Sequence, residues 1–291
     1  MIVPGFNNRY PKGDDDYLWS FADCRHDERI VESCCTTLDE ALSAEARGAD
    51  RIELCTDLSV GGVTPPRDLV KVVVDALKIP VNVLIRPSTR ESCAGGIASR
   101  RHATLGTVRG RDPYVAWEGS SEARRSGRQC QSASRVEGRI AQASNGFSFE
   151  DFVCDDDDIE QMINDIDYCK SVGAAGIVVG ALTPEGAVDI AALRQLIAAA
   201  RPLPVTFHRA FDVCTLDPFD ALETIISLGC TRLLTSGMAE NAWAGRELIA
   251  RLVQAAGDRL IILAGRGVNP ENVNSLAAAT GAREFHGTAL P

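Results

Sequence analysis

Eight short apolar runs that alternate with segments of helical period limit what this chain can fold into more than any other feature. The runs occupy residues 30–34, 51–55, 81–87, 176–180, 205–210, 232–237, 260–265 and 284–288. The segments between them, such as 217–229 and 241–257, place apolar residues three and four positions apart, as amphipathic helices do. Apolar strands that alternate with helices are typical of parallel βαβ units.

A closed barrel and an open doubly wound sheet both satisfy this pattern. The count of eight runs and their regular spacing favour the barrel. Glycines recur at the ends of helical segments, at Gly48, Gly173, Gly229 and Gly281, where a left-handed C′ residue ends a helix. We therefore predict an α/β fold, a TIM-type (β/α)₈ barrel.

The stretch from residue 88 to residue 146 interrupts the regular spacing after the third run. It is rich in Arg, Ser and Gly and has no sustained apolar periodicity. We predict a disordered insertion there, with a functional loop as the alternative. Residues 1–28 are predicted to be a loose tail, and the end at Pro291, just past the eighth run, suggests a truncated C-terminus. A single barrel domain is expected over 29–291, interrupted at about 88–146.

The charge balance and the cysteines limit the partners and the compartment. The 291 residues carry 30 basic and 40 acidic side chains, and a net charge of −10 argues against nucleic acid or an anionic membrane as a partner. No apolar run approaches the ~20 residues of a membrane-spanning helix, and no signal peptide is recognisable at the N-terminus. The ten cysteines form no CxxC pair. We expect a cytoplasmic protein with reduced thiols, and homo-oligomerisation stays open.

Polar residues at the ends of the predicted strands are the candidates for function, because barrel chemistry occurs at the C-terminal ends of strands. Strand alternation places Glu32 with Cys34, and Glu53 with Cys55, on one face. Buried polar groups are costly unless they are paired or used, so their convergence predicts a functional mouth. Two structural alternatives stay open: the cysteines are small buried apolar residues, or Glu53 forms an ion pair with Arg86. The full candidate set is Glu32, Cys34, Glu53, Cys55, Arg86, Thr206, His208, Arg209, Thr235, Ser236 and His286.

A glycine-rich turn follows the seventh run. Gly265 and Gly267 precede Asn269, which suits a helix cap, and Pro270, which suits a first helical turn. Barrels often bind phosphate at such a turn through backbone amides. The same glycines also suit a tight turn without a ligand, and both interpretations stay open.

Several of these segments together resemble the CutC copper-homeostasis family. The resemblance is carried by GADRIELC at 48–55, PVTFHRAFD at 204–212, AGRGVNPENV at 264–273 and EFHGTA at 284–289, and it covers about 29–87 and 147–289. It implies a TIM-type barrel and a role in copper handling, with Cys34 and Cys55 on the family's cysteine positions. Thiolates are soft ligands that suit Cu(I). The chain departs from the family pattern at Ser88, where Arg is expected, and at Arg266, which interrupts a run of glycines.

Two functions follow from this reading, and the sequence does not decide whether the protein is an enzyme. The first is a copper-homeostasis protein that binds Cu(I) at the barrel mouth through Cys34 and Cys55. The second is an enzyme of the lyase, isomerase or hydrolase kind that acts on a small anionic or phosphorylated metabolite. Its catalytic residues would be Glu32, Glu53, Arg86 and His208. The anion would be held by Arg209, Ser236, Gly265, Gly267 and His286. A third alternative is an inactive, truncated product.

Overall fold

Eight parallel strands form a closed barrel in which each strand pairs with the next and the last pairs with the first. The computed structural model describes residues 29–87 and 147–288. The predicted tail, the predicted insertion and the last three residues lie outside the described part of the chain. The closed parallel barrel confirms the TIM-type fold predicted from the eight runs and their spacing.

Strands and helices alternate along the chain as predicted. The strands are β1 (Ile30–Cys35), β2 (Arg51–Leu54), β3 (Val81–Leu84), β4 (Gly176–Val179), β5 (Val205–Phe207), β6 (Arg232–Thr235), β7 (Ile261–Gly265) and β8 (Glu284–Gly287). The helices are α1 (Leu38–Arg47), α2 (Arg67–Ala76), α3 (Asp156–Ser171), α4 (Ile190–Ala200), α5 (Pro218–Leu228), α6 (Arg246–Ala256) and α7 (Val273–Thr280). Short 3₁₀ helices cover Leu58–Val60, Phe149–Phe152, Arg209–Val213 and Gly257–Arg259. None of the helices in the described ranges is long and apolar enough to cross a lipid bilayer.

Local signals fix the ends of several helices. The Thr37 side chain accepts a hydrogen bond from the Glu40 amide at the start of α1, and Gly48 ends that helix with φ 100°. Gly229 and Gly281 end α5 and α7 in the same left-handed conformation, with φ 90° and 70°. These positions require a residue that tolerates positive φ, so the glycines predicted the helix ends correctly.

The period-2 alternation of the strands separates an outer core from the barrel interior. Ile52 and Leu54 of β2 are fully buried in the outer apolar core between strands and helices. Cys55 belongs instead to a second cluster with Cys34, Leu84 and Val178, which occupies the barrel interior. Glu53 pairs in register with Cys34 and therefore also faces inward.

A buried ionic network fills the N-terminal half of the barrel interior, and we call it the floor network. Arg51 Nη2 lies 2.6 Å from Glu284 Oε2, and Arg51 Nε lies 2.5 Å from Glu32 Oε2. Arg232 Nε donates to Glu284 Oε2 over 2.8 Å, and Asn82 Nδ2 donates to Glu32 Oε2 over 3.2 Å. These contacts link strands β1, β2, β3, β6 and β8 below the mouth.

Candidate functional site

The C-terminal mouth of the barrel contains most of the polar residues that the sequence singled out. Glu53, Arg86, His208 and His286 are all at least nine-tenths buried there. Three of them carry buried polar atoms without a hydrogen-bond partner among residues 29–87 and 147–288, namely Glu53 Oε2, Arg86 Nε and Nη2, and His208 Nε2. A folded protein normally satisfies its buried polar groups, so unpartnered atoms on three residues at the mouth make it a candidate place for a ligand.

Glu32 joins the floor network to the mouth. Its Oε1 lies 2.9 Å from His286 Nδ1, while Arg51 binds its other oxygen. Burial disfavours the charge of Glu32, but the charges of Arg51 and His286 outweigh burial and hold the pKa of Glu32 well below its usual range. Glu32 is therefore an ionised acceptor that fixes the orientation of the His286 ring.

Glu53 and His286 are neighbouring titratable groups at the mouth, without a hydrogen bond between them. Glu53 Oε2 lies 3.9 Å from His286 Nδ1. Burial raises the pKa of Glu53 to about 7, and the negative charge of Glu32 adds to that rise. Burial alone would lower the pKa of His286, but the charges of Glu53 and Glu32 raise it. The pKa of Glu53 is thus close to neutral, where general acids and bases work best, and the pKa of His286 is shifted upward.

Arg86 is a buried cation at the end of β3. Its Nη1 donates to the carbonyl oxygens of Val60 and Gly62 over 2.8 and 3.0 Å. The guanidinium lies over the rings of Phe152 and Phe147, 4.7 and 5.7 Å from their centroids. No ion pair joins Arg86 to Glu53 in the described ranges, so the structural pair left open by the sequence does not form. The free Nε and Nη2 lie on one edge of the guanidinium, the edge that binds a carboxylate through two parallel hydrogen bonds.

His208 follows β5 and is held as a neutral ring. Its Nδ1 accepts a hydrogen bond from the Ala210 amide over 3.1 Å, which starts a 3₁₀ helix and ends β5 earlier than the sequence predicted. Burial, together with the charge of Arg86, lowers the pKa of His208 to about 3. The neutral ring therefore carries its hydrogen on Nε2, which has no acceptor within the part of the chain that the structure describes.

The packing around His208 leaves little room for the ring to move. Phe152 lies 5.1 Å from it between ring centroids, and Phe152 also contacts Arg86. A Cβ placed on Gly180 would come within 2.4 Å of the His208 ring atoms. The close approach explains why a glycine follows β4 at this position, and it limits the directions in which Nε2 can point.

Asp212 organises the loop after β6, and the sequence reasoning did not select it. Its carboxylate accepts from the Thr235 hydroxyl, the Ser236 amide and hydroxyl, the Met238 amide and Arg209 Nε, at 2.5 to 3.1 Å. Ser236 is thereby committed to Asp212, whereas Arg209 is anchored with 23% of its side chain exposed. The signal was present in the sequence, because Asp212 ends the segment PVTFHRAFD.

The glycine-rich turn after β7 leads into a segment whose amides are bonded by its own asparagine side chains. Asn269 Oδ1 accepts from the amides of Glu271 and Asn272, and Asn272 Oδ1 accepts from the amide of Asn269. Gly267 has φ 69°, which a tight turn requires. These bonds favour the tight turn over a phosphate cradle, and Gly265 and Gly267 stay only candidates for anion binding.

The two cysteines lie side by side in the mouth. Cys34 Sγ is 3.5 Å from Cys55 Sγ, and ligand atoms of Cys34, Glu53 and His286 all lie within 4.8 Å of one another. The hydrogen bond to Cys55, together with burial, raises the pKa of Cys34 well above its usual value. A cavity of about 340 Å³ between β1, β8 and α1 reaches Cys34 from outside. Two thiols with an imidazole nearby fit a soft metal such as Cu(I), and two buried thiols also fit an apolar barrel lining.

Comparison with known proteins gives consistent relatives over the described barrel. The CutC family model matches residues 29–94 and 148–290. A CutC family protein of Histophilus somni is 37% identical over 256 residues, which are 88% of this chain and 80% of that protein. A human protein called copper homeostasis protein cutC homolog is 36% identical over 257 residues, which are 88% of this chain and 72% of that protein. A crystal structure of CutC from Streptococcus agalactiae superposes with a TM-score of 0.66 at 26% identity, covering 90% of this chain and all of that one.

Proposed function

The chain belongs to the CutC family, which is linked to copper homeostasis, and from the geometry of its barrel mouth we propose that it is an acid–base enzyme acting on a small anionic metabolite in the cytoplasm. The observation that carries the proposal is the set of buried, unpartnered polar atoms of Glu53, Arg86 and His208. Leaving such groups without partners costs folding free energy, and a polar ligand in the mouth would satisfy all three.

Arg86 is the anchor for the anion. It is 5% exposed, and its free edge offers two parallel donors that match a carboxylate or phosphate. Arg209 adds a second positive charge, positioned by Asp212. The sequence also placed Ser236, Gly265, Gly267 and His286 at the anion, but their contacts support other roles: loop structure for the first three and proton transfer for His286.

Glu53 and His286 carry out proton transfer in this proposal. The sequence also nominated Glu32 and His208, and the structure supports different roles for them. Glu32 is ionised and bound to Arg51, so it positions His286 rather than exchanging protons itself. His208 has a pKa of about 3, so it acts as a neutral hydrogen-bond donor through Nε2 rather than as a base.

Copper binding is the second candidate, and the pair of thiols supports it. Cys34 and Cys55, with Sγ atoms 3.5 Å apart, would supply the soft donors, and His286 would be the nearest imidazole. Because Cys34 lies within 4.8 Å of Glu53 and His286, a bound Cu(I) ion would occupy the space next to the proton-transfer pair. A bound Cu(I) ion would therefore interfere with proton transfer by this pair.

The enzyme proposal is tested by anion binding. Isothermal calorimetry with oxalate, and separately with inorganic phosphate, is expected to show binding that Arg86→Met weakens at least tenfold. Arg67→Met is the matched control, because Arg67 also lies over an aromatic ring, Tyr168, but on the outer surface. Equal affinities in wild type and Arg86→Met, or no binding of either anion, would contradict the proposal.

The copper candidate is tested by titrating reduced protein with Cu(I) against a competing chelator. The Cys34→Ser/Cys55→Ser double variant is expected to lose high-affinity binding. Cys169→Ser/Cys230→Ser removes two equally buried thiols outside the mouth and should bind as wild type does. If both double variants bind Cu(I) equally, the mouth is not a copper site.

A further inference from the structure

We propose that Arg209 and Arg266 form a second anion-binding subsite at the rim of the mouth, and that it takes the phosphate group of a small metabolite. We call these two residues the rim subsite. The proposal goes beyond the proposed function, because it depends on neither Arg86 nor proton transfer. Arg209 follows β5 and Arg266 follows β7, so both lie at the C-terminal ends of strands, where barrel sites form.

The backbone of Arg266 has a conformation that favours glycine. Its φ is 74°, in the left-handed region, where the Cβ atom of an L-residue crowds the backbone. The carbonyl oxygen of Arg266 accepts a hydrogen bond from the Ala242 amide over 3.0 Å, which ties this turn to the loop after β6. An arginine therefore costs folding free energy at this position, and backbone strain of this kind is concentrated at functional sites.

The side chain of Arg266 makes no contact that would offset this cost. No ion pair or side-chain hydrogen bond joins it to another of the residues 29–87 and 147–288, and its Nη1 is buried without an acceptor there. Burial and the positive charge of Arg209 lower the pKa of Arg266, while Asp212 and Glu240 act in the opposite direction without bonding to it. The guanidinium is therefore unsatisfied beside a second cation, and a bound anion would relieve both conditions.

Arg209 is fixed in position but keeps donors for a ligand. Its Nε donates to Asp212 Oδ2 over 3.0 Å, and this is the one hydrogen bond that its guanidinium makes with the described residues. Because 23% of the side chain is exposed, a ligand can reach the two terminal nitrogens. A guanidinium that is already held in place loses less conformational entropy when it binds an anion.

Short contacts join Arg209 to the part of the barrel that carries Arg266. Asp212 accepts hydrogen bonds from Arg209 Nε and from the Ser236 amide, both over 3.0 Å. Ser236 directly follows β6, and Arg266 directly follows β7, which is the strand paired with β6. The carboxylate of Asp212 is occupied by these donors and by those of the loop after β6, so it does not neutralise Arg266.

A phosphate group suits two arginines from different loops better than a carboxylate does. One guanidinium edge matches a planar carboxylate, whereas phosphate oxygens point in tetrahedral directions and accept from donors on several sides. A phosphate monoester also carries a charge of about −1.5 to −2 at pH 7, which opposes two cations. The rim subsite is partly exposed, so it should bind phosphate more weakly than the buried Arg86 does, and more weakly still at high salt.

The test is calorimetry of the full chain carrying Arg86→Met, which removes the inner anchor and leaves the rim subsite. Inorganic phosphate and glycerol 3-phosphate are both expected to bind this variant, the ester at least as tightly as the free ion. Adding Arg266→Met should weaken both at least about tenfold. Adding Arg246→Met instead should change neither, because Arg246 lies at the same end of the barrel but is already bonded to Trp243.

Arg266→Gly separates ligand binding from a structural role. Glycine adopts a φ of 74° without strain, so the midpoint of urea denaturation without phosphate should rise. Phosphate affinity in the Arg86→Met background should fall as it does with Arg266→Met. A lower midpoint would mean that Arg266 stabilises the fold through contacts of its own, and it would overturn the proposal.

The outcomes also separate this proposal from the proposed function. No phosphate binding by Arg86→Met, or equal binding with and without Arg266→Met, would overturn the rim subsite and leave the Arg86 site standing. Binding of inorganic phosphate but not of glycerol 3-phosphate would overturn the assignment to a metabolite. Wild-type affinity in Arg86→Met alone would contradict the proposed function, and a loss of that affinity on adding Arg266→Met would still support the rim subsite.

Discussion

At the scale of single residues, the chemistry of the mouth depends on how burial and neighbouring charges shift the pKa values of similar side chains in opposite directions. Glu32 and Glu53 are both buried glutamates on adjacent strands. Arg51 holds Glu32 ionised, whereas Glu53 has no hydrogen-bonded cation among the described residues and its pKa rises to about 7. The two carboxyl groups therefore have different roles, one in orientation and one in proton transfer.

Glu53 should make the stability of the protein depend on pH. Its pKa is about 7 in the folded state against an ordinary value of 4.5, so the folded state binds the extra proton between these values. The resulting stabilisation is fully present below pH 4.5 and is lost as the pH rises through 7, and the raised pKa of His286 acts in the same direction. From pH 5 to pH 8, wild type should lose roughly 1–3 kcal/mol more unfolding free energy than Glu53→Gln.

Urea denaturation of both proteins at pH 5 and pH 8 measures this difference. Glu223→Gln serves as the control, because Glu223 pairs with Arg259 on the surface and its pKa is lowered rather than raised. If the pH profiles of wild type and Glu53→Gln run parallel, Glu53 does not hold a proton near neutral pH.

Sequence patterns predict which way these side chains face, but they do not predict the hydrogen-bond partners that determine their roles. The alternation of residues along β2 predicted correctly that Glu53 and Cys55 face the barrel interior, because a strand has only two faces. The partners of Glu32, by contrast, come from β2, β3 and β8, and only the closed barrel brings them together. The tautomer of His208 likewise depends on one backbone amide, which the local turn supplies.

At the scale of elements, the loop after β6 is held in place by one carboxylate. Asp212, in the 3₁₀ helix after β5, accepts hydrogen bonds from the end of β6 and from the loop beyond it. It also anchors Arg209. Asp212, which follows β5, therefore fixes the conformation of the loop that follows β6 at the mouth.

Asp212→Asn should weaken both stability and anion binding. The amide has one acceptor oxygen where the carboxylate has two, so several buried donors lose their partner, and unfolding free energy should fall by about 2–4 kcal/mol. Oxalate affinity should also fall, because Arg209 is no longer anchored. Chemical denaturation and calorimetry measure the two effects.

Asp217→Asn is the matched control for Asp212→Asn. Asp217 caps α5 at an exposed position, and asparagine caps a helix about as well as aspartate. This variant should change unfolding free energy by less than about 0.5 kcal/mol. Equal effects of the two substitutions would show that Asp212 does not organise the loop.

At the scale of the whole molecule, the floor network joins distant parts of the chain beneath the site. Glu284 of β8 binds Arg51 of β2 and Arg232 of β6, so one carboxylate connects three strands across the barrel. The sequence predicted the barrel from the number and spacing of its strands, because those signals are local and repeated. It did not predict the network, because Arg51 and Arg232 stand at the N-terminal starts of strands, away from the ends that indicate function.

Glu284→Gln should destabilise the whole barrel. Two arginine side chains would lose the charge of their shared partner in a buried site, and the unfolding free energy is expected to fall by about 3 kcal/mol. Chemical denaturation should show a lower midpoint with an unchanged slope, which indicates a loss of stability without a change in cooperativity. An unchanged midpoint would mean that the network contributes no net stability.

The central claim, that the barrel mouth is an anion-binding acid–base site, is tested most directly by a crystal structure of the protein with oxalate. We predict one oxalate carboxylate on the Nε–Nη2 edge of Arg86 and an oxygen of the anion within hydrogen-bond distance of His208 Nε2. Oxalate bound only at the Asn269–Asn272 turn, or a mouth without oxalate at saturating concentration, would contradict the account.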